Sequence, residues 1–382
     1  MIYADNAATT RISESVLEKM LPFLREQYGN ASSRYSLGVK AKRAIEQARK
    51  QVATALSAEP SEIAFTSGGS ETNSWVLRSV IKSHSNEPIH IITSSIEHHS
   101  VLNACLSIEQ SGVEVTYLPV GRTGIVSVND VKAALKSNTK FVSVMLANNE
   151  IGTIQPISEI GHIVKERGIL FHTDAVQAVG HIPVDIHCLQ VDFLTASAHK
   201  FNGAKGTGIL FKRLGLELTP LVFGGEQERG LRAGTENVAG IVAAGYAIEE
   251  SIANMSAASE YLKALVSTTI VGIKDKIPNV IVNGEINHSL PGVLNIGFDG
   301  VSGEVLMNLL DLKGICVSTS SACTSGKDNP SHVLMALGLT EKQAKSAIRI
   351  SYGRYNTIDE VEVIVSALYD ACKKIRESKS SI

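Results

Sequence analysis

Apolar residues first recur at helical spacing. Val16, Leu17, Met20 and Leu24 share one face, and Ala41, Ala44, Ile45, Ala48, Val52 and Leu56 share another, which predicts two amphipathic helices lying on a larger body. From Ile63 the rhythm changes. Short apolar runs at Ile63–Thr66, His90–Thr93, Val113–Leu118, Phe141–Leu146, Ile169–His172, Phe193–Ala196 and Gly208–Phe211 alternate with helical patterns. That alternation predicts an α/β domain with a mostly parallel sheet. After Gly234 a long helical pattern extends to about Ile277, followed by strand-like runs at Val280–Val282, Gly292–Phe298 and Ile315–Ser318. These suggest a second, smaller α/β layer. No repeat, low-complexity tract or Gly/Ser linker interrupts the chain, so the two layers are expected to share a broad interface.

Composition narrows the class. Of 382 residues 44% are hydrophobic and 19% charged, with 31 Gly and only 10 Pro, values of a globular chain and not of a disordered or fibrous one. The 36 basic and 38 acidic residues leave a net charge of −2, and no dense basic stretch stands out, so nucleic acid is not an expected partner. Met1 to Asn6 meets an acid and an amide where a secretory signal would be basic and then apolar. The most apolar run, Val238 to Ile248, falls well short of the roughly 20 residues that span a bilayer. Neither export nor a membrane is expected. Five cysteines lie scattered without CxxC spacing, which fits a reducing cytoplasm and no disulfide framework or metal site.

Candidate chemistry gathers at the ends of the predicted strands. Thr66-Ser67-Gly68-Gly69-Ser70-Glu71 follows one strand and opens a helix, placing free backbone N–H groups where an anion, a phosphate for example, would sit. On this motif alone a plain helix cap remains an equal alternative. Gly203 to Gly208 precedes a strand instead, and is expected to be a tight turn. His98-His99 are neighbours without HExxH spacing and do not suggest a metal. Asn148-Asn149-Glu150, Asp174 with Gln177, and Ser197-Ala198-His199-Lys200 each follow a strand; in a parallel sheet such ends share the edge where ligands bind. A phosphate site, an Asp to face a ring nitrogen and a Lys to condense with an aldehyde are the three handles that pyridoxal 5′-phosphate requires.

At this point the chain resembles a known family, the cysteine desulfurases of the NifS/IscS type, within the class-V aminotransferases and fold-type I pyridoxal-phosphate enzymes. The resemblance is carried in order by Asp5 to Thr10, Gly29 to Ser33, Thr66 to Glu71, Glu97-His98, Ala147 to Gly152, Asp174 to Gln177, Ser197 to Lys200, Arg232 to Thr235, Ser321 to Ser325 and Arg349 to Ser351. Tyr35 stands where the family usually has His, and Ser70 where Thr is common. The resemblance implies a large cofactor-binding domain, 12–255, with a mostly parallel sheet flanked by helices, and a smaller α/β domain made of 1–11 and 256–382.

It also implies roles. Lys200 would hold pyridoxal 5′-phosphate covalently and shuttle the α-proton, Asp174 would pair with the ring nitrogen, Gln177 would bond the ring oxygen, and His98 would stack on the ring and take part in proton transfer. Gly69, Ser70, Ser197 and His199 would hold the phosphate, joined by Thr235 from the other subunit of a homodimer. Asn149 would lie against the cofactor and, with Arg349, bind the carboxylate of L-cysteine. Cys323 would receive the sulfur as a persulfide, leaving alanine, and a protein of iron–sulfur cluster assembly or tRNA thiolation would accept it. Cys323 alone lies among small polar residues; Cys105, Cys188, Cys316 and Cys372 lie in apolar patterns and are expected to be small buried hydrophobes. Selenocysteine lyase and aminotransferase activity on a small amino acid are the alternatives on this fold, and a silent assembly subunit is the alternative outside enzymes. Together Lys200, Asp174, His98 and Cys323 speak against a silent role.

Overall fold

The computed structural model describes residues 1–85, 87–319 and 329–380. Its larger sheet has seven strands, in the spatial order Ile63–Thr66, Gly208–Lys212, Phe193–Ser197, Leu170–Asp174, Thr139–Ser143, His90–Ser94 and Glu114–Leu118. Gly208–Lys212 runs antiparallel to both neighbours, and every other pair is parallel. The mostly parallel sheet predicted from the alternating runs is therefore present.

Neighbouring residues of one strand face opposite sides, so a strand buried on both faces sends apolar side chains into two cores. Ile91, Phe141, Phe193 and Leu210 enter one core with Trp75 and Val101, while Ile92, Val142, Leu194 and Phe211 enter another with Ile45, Val52 and Ile248. Helices Gly69–Ser83 and His99–Glu109 contribute to the first core, and helices Ser36–Leu56 and Val238–Lys276 to the second.

The smaller sheet is antiparallel. Its order is Ser318–Thr319, Ala347–Ser351, Val293–Phe298, Val280–Asn283. The pattern reading did not include Ala347–Ser351, although Ile348 and Ile350 alternate with Arg349 and Ser351, the signature of a half-buried strand. The run Ile315–Ser318 divides as well. Ile315–Cys316 pairs in parallel with Ile2–Tyr3, and after Val317 the chain joins the four-stranded sheet; an apolar run carries no information about which neighbour it will meet.

One helix, Val238–Lys276, serves both halves: Ile241 to Ile248 pack in the large core, and Leu262 to Ile273 pack with Phe298, Ile348 and Leu368 in the small one. Among the described residues no helix is long and apolar enough to cross a membrane. The expectation of buried cysteines holds at Cys105 and Cys372 and is corrected at Cys316 and Cys188. Cys105 and Cys372 are buried and Cys316 is intermediate, but Cys188 is exposed, because the single turn Ile186–Leu189 buries Ile186 and turns Cys188 outward.

Candidate active site

A pocket of about 360 Å³ opens where the ends of the large parallel strands meet the small sheet and the N-terminal segment. Gly69, Ser70, His98, Asn149, Asp174, Gln177, Ser197, His199, Lys200 and Arg349 all line it. Of the residues singled out from sequence, two stand apart. Thr235 is exposed and lines a separate small cleft with Ser67 and Arg232. Cys323 lies outside the described residues; Ser318 and Thr319, which precede that segment, border the pocket. A wider groove of about 830 Å³ along helix Ser36–Leu56 contains Arg34, Lys42, Arg43 and Lys50 but none of the candidate residues.

Asp174 is the last residue of its strand and is buried. Its Oδ1 accepts the backbone N–H of Val176 at 3.0 Å, and its Oδ2 accepts from Asn73 Nδ2 at 2.7 Å. One oxygen is thereby aimed by the turn that follows the strand and the other by helix Gly69–Ser83. Gln177 Nε2 donates to the carbonyl of Ala7 at 3.0 Å. Lys200 closes the 3-10 turn Ala198–Lys200 that follows Phe193–Ser197, and its Nζ donates to the carbonyls of Ala7 and Ala8 at 2.6 and 2.8 Å. The segment from Ala7 to Thr9 thus meets Gln177, Lys200 and, through Thr9 Oγ1 at 3.1 Å, His199 Nδ1.

The floor suited to an anion is the first turn of helix Gly69–Ser83. An open cleft continuous with the pocket is lined by Ser67 to Glu71, Ser197, His199 and Lys205. At Gly69 a Cβ would fall 2.8 Å from Val176 Cγ2, so the backbone approaches this wall more closely than a side chain allows. Burial, and then the charges of Lys200 and Lys205, push the His199 imidazole down to about 4. It is neutral near pH 7 and able to donate one hydrogen bond. Glu71 takes no part in lining the inner pocket. Its carboxylate accepts from the Ser67 N–H at 3.0 Å and from Arg232 Nε and Nη2 at 2.9 and 3.2 Å; burial raises its pKa, but the bonds from Arg232 and Ser67 outweigh burial and hold it below the usual range.

The opposite wall belongs to Arg349. Its Nη2 donates to Asp5 Oδ1 at 2.7 Å and its Nη1 to the Asn149 carbonyl at 2.9 Å. Its Nε is buried without a partner among the described residues. Behind the pocket lie two buried carboxyls. Burial drives Glu97 up to about 8 and Glu150 up to about 7. Glu97 Oε1 accepts from Ser94 Oγ and the Met145 N–H, and Glu150 Oε2 accepts from Ser331 Oγ at 2.5 Å. Reasoning from sequence assigned no role to Asp5, Asn73 or Ser100, although all three border the pocket. Asp5 sits in a quoted motif; Asn73 and Ser100 are ordinary helix residues by pattern, and only the packing of their helices brings them here.

Residues 2–364 match the family described as aminotransferase class-V. Cysteine desulfurase IscS of Clostridium botulinum is 47% identical over 378 residues, covering 98% of this chain and 95% of that protein. The chain belongs to the class-V aminotransferases, among the cysteine desulfurases of the NifS/IscS type. The similarity of this NifS/IscS-type chain extends to cysteine desulfurase IscS of Methanosarcina thermophila, 46% identical over 98% of this chain and 93% of the relative. Among solved structures, a NifS-like protein superposes with a TM-score of 0.91 at 40% identity over 100% of both chains. A NifS-like protein from Rickettsia africae superposes with a TM-score of 0.87 at 33% identity, covering 97% of this chain and 99% of that one. The architecture is that of the fold-type I enzymes of this family, and membership in it implies pyridoxal 5′-phosphate as cofactor.

Proposed function

We propose that this NifS/IscS-type desulfurase binds pyridoxal 5′-phosphate in the 360 Å³ pocket and converts L-cysteine to L-alanine, passing the sulfur to Cys323 as a persulfide. The observation that carries the reading is the meeting of Asp174, His98, Lys200 and Arg349 in one pocket continuous with an anion-suited cleft. The residues suit the group. Arg349 Nε and Asn73 Oδ1 are buried at the wall without partners among the described residues, and groups so placed await a ligand or water. The helix start at Gly69 and Ser70, with Ser197 and His199, offers donors for a phosphate.

When bound, the cofactor supplies a sink for the electron pair left as the substrate loses its α-proton. Asp174 would hold a proton on the ring nitrogen by offering a buried negative charge, and Gln177 would bond the ring oxygen. His98 and Asn149, which line the pocket, would hold the ring. Lys200 Nζ would anchor the group and receive the α-proton. Arg349, oriented by Asp5 and by the Asn149 carbonyl, grips the substrate carboxylate. The Cys323 thiolate attacks the substrate sulfur: an S–S bond forms, the C–S bond breaks, and carbon keeps the electron pair and is protonated to give alanine.

The working unit we propose is a cytoplasmic homodimer in which Thr235, which does not line the pocket of its own subunit, completes the phosphate site of the other. Its division is 12–255 against 1–11 with 256–382, the boundary falling inside helix Val238–Lys276. A protein of iron–sulfur cluster assembly or tRNA thiolation takes the persulfide onward. The test is to incubate the holoenzyme and Cys323→Ala with cysteine, quantify alanine, and map persulfide by mass spectrometry. Persulfide on the Cys323 peptide, and its loss together with alanine in the variant, is expected; wild-type alanine from Cys323→Ala would overturn the reading.

A further inference from the structure

His98 occupies the cap position of helix His99–Glu109, where Ser, Thr, Asp or Asn usually stands. Its Nδ1 lies 3.1 Å from the backbone nitrogen of Ser100. A backbone N–H can only donate, so Nδ1 must present a lone pair and carry no proton. The Ser100 hydroxyl lies 2.8 Å from the same nitrogen, and with a lone pair already there its hydrogen must point at Nδ1. Ser100 Oγ therefore has only lone pairs left for others, and Asn73 Nδ2 donates to it at 2.9 Å. The same amide nitrogen donates its second hydrogen to Asp174 Oδ2 at 2.7 Å. Turning the amide over would set its oxygen against a carboxylate oxygen, which forbids the alternative. Asn73 is wholly buried and Asp174 nearly so, which leaves little room for water to substitute along the chain.

The geometry points to Asn73 and Ser100 as positioning residues that lock the proton of His98 on Nε2: the Asp174 carboxylate fixes the Asn73 amide, which donates to both Asp174 and Ser100, and Ser100 donates to His98. In this state His98 can give a hydrogen bond or a proton from Nε2 but cannot take a proton there. Protonation at Nδ1 would have to displace two donors. Removal of the substrate α-proton then falls to Lys200, and His98 acts as a donor. The charged and titratable groups facing the ring are Asp174, which favours the imidazolium, and Lys200, His99 and His332, which do not. Burial is the largest influence and, with Lys200 and His99, holds the ring below its ordinary value, in keeping with a neutral imidazole.

The catalytic consequence rests on the function proposed above; the protonation pattern does not. The experiment is a long-range proton–nitrogen correlation spectrum of holoenzyme carrying 15N-histidine, with His98 assigned by its disappearance in His98→Gln. Expected is a protonated Nε2 and an unprotonated, hydrogen-bonded Nδ1 from about pH 6 to 8. Ser100→Ala and Asn73→Ala should each move Nδ1 towards the position of an unbonded ring nitrogen. They should also lower kcat roughly tenfold at an unchanged KM, the size expected for one lost orienting bond, with Ser100→Thr restoring both. A proton on Nδ1, a doubly protonated ring at neutral pH, or a His98 signature identical to wild type in both alanine variants would overturn the proposal. The wild-type spectrum decides the tautomer even if a variant fails to fold. A holoenzyme with the expected ring signature that makes no alanine would sink the proposed function and leave this inference standing.

Discussion

The two sheets contribute to the pocket in opposite ways. From the seven-stranded sheet come Asp174 at a strand end, Ser197 at another and Lys200 one turn beyond it, so its chemistry lies in loops held by a parallel scaffold. From the four-stranded sheet comes Arg349, from the middle of the antiparallel strand Ala347–Ser351, fixed by Asp5 and Asn149, partners 344 and 200 residues away in sequence. Strand ends of a parallel sheet converge on one edge whatever the loop lengths. A mid-strand side chain reaches the pocket only when the whole small sheet docks correctly. The first half of the site therefore follows from local chain geometry, and the second from tertiary assembly.

Substitutions should separate the halves. The largest effect is expected at Lys200: Lys200→Ala should remove the yellow colour of bound cofactor and lower kcat by at least about a thousandfold, measured by absorbance and alanine release. Retention of both would break the assignment. On the other side of the pocket, Arg349→Lys keeps the charge but loses the planar fork that grips a carboxylate through two bonds. KM for cysteine should rise by about ten- to a hundredfold while the cofactor stays bound. Asp5→Asn preserves an acceptor for Nη2 and should raise KM by only a few-fold, about what loss of charge assistance in one bond removes. A lost cofactor in either variant would mean that the two halves are not separable.

The buried titratable groups sharpen the same contrast through pH. Glu97 is raised from 4.5 to about 8 by burial, so the folded chain holds a proton that the unfolded chain releases, and this stability is lost as pH rises from 4.5 through 8. Glu97→Gln should abolish that decline, a gain on the order of a few kcal/mol at pH 8 relative to pH 5 in denaturant titrations. His172 works in the other direction. Burial lowers it from 6.5 to about 3, so stability falls as pH drops through that window, because the unfolded chain takes up the proton first. An alkaline decline unchanged in Glu97→Gln would place its cause elsewhere, with Glu150 the next group to test. The smallest effect is expected at Glu71, whose partly buried pair with Arg232 ties the Ser67–Ser70 loop to the segment bearing Thr235. Glu71→Gln should cost about 1 kcal/mol or less in stability and weaken cofactor retention modestly; a large loss of affinity would give that tie a greater share in the proposed phosphate site.

Much of the architecture was legible in the order of residues alone. A period of two or of 3.6 is a local property, so the seven runs of the large sheet and the long helix after Gly234 are written in side-chain polarity. The residues after those runs carried their chemistry with them, and the motifs from Asp5 to Arg349 identified the family. Ala347–Ser351 was equally legible, and its alternation was the neglected signal. Other features depended on docking. That Ile315–Ser318 divides between two sheets follows from which strands lie beside it, and polarity does not encode a neighbour. That Cys188 faces solvent depends on how one short turn sits. The links from Asp174 through Asn73 and Ser100 to His98 join a strand end to two helices, and no spacing along the chain relates them. The sequence alone determined which chemical groups the protein has and the elements that bear them. Only the tertiary structure decided which groups meet in the buried pocket, because hydrogen bonds and desolvation act over a few ångströms of space, whatever the separation along the chain.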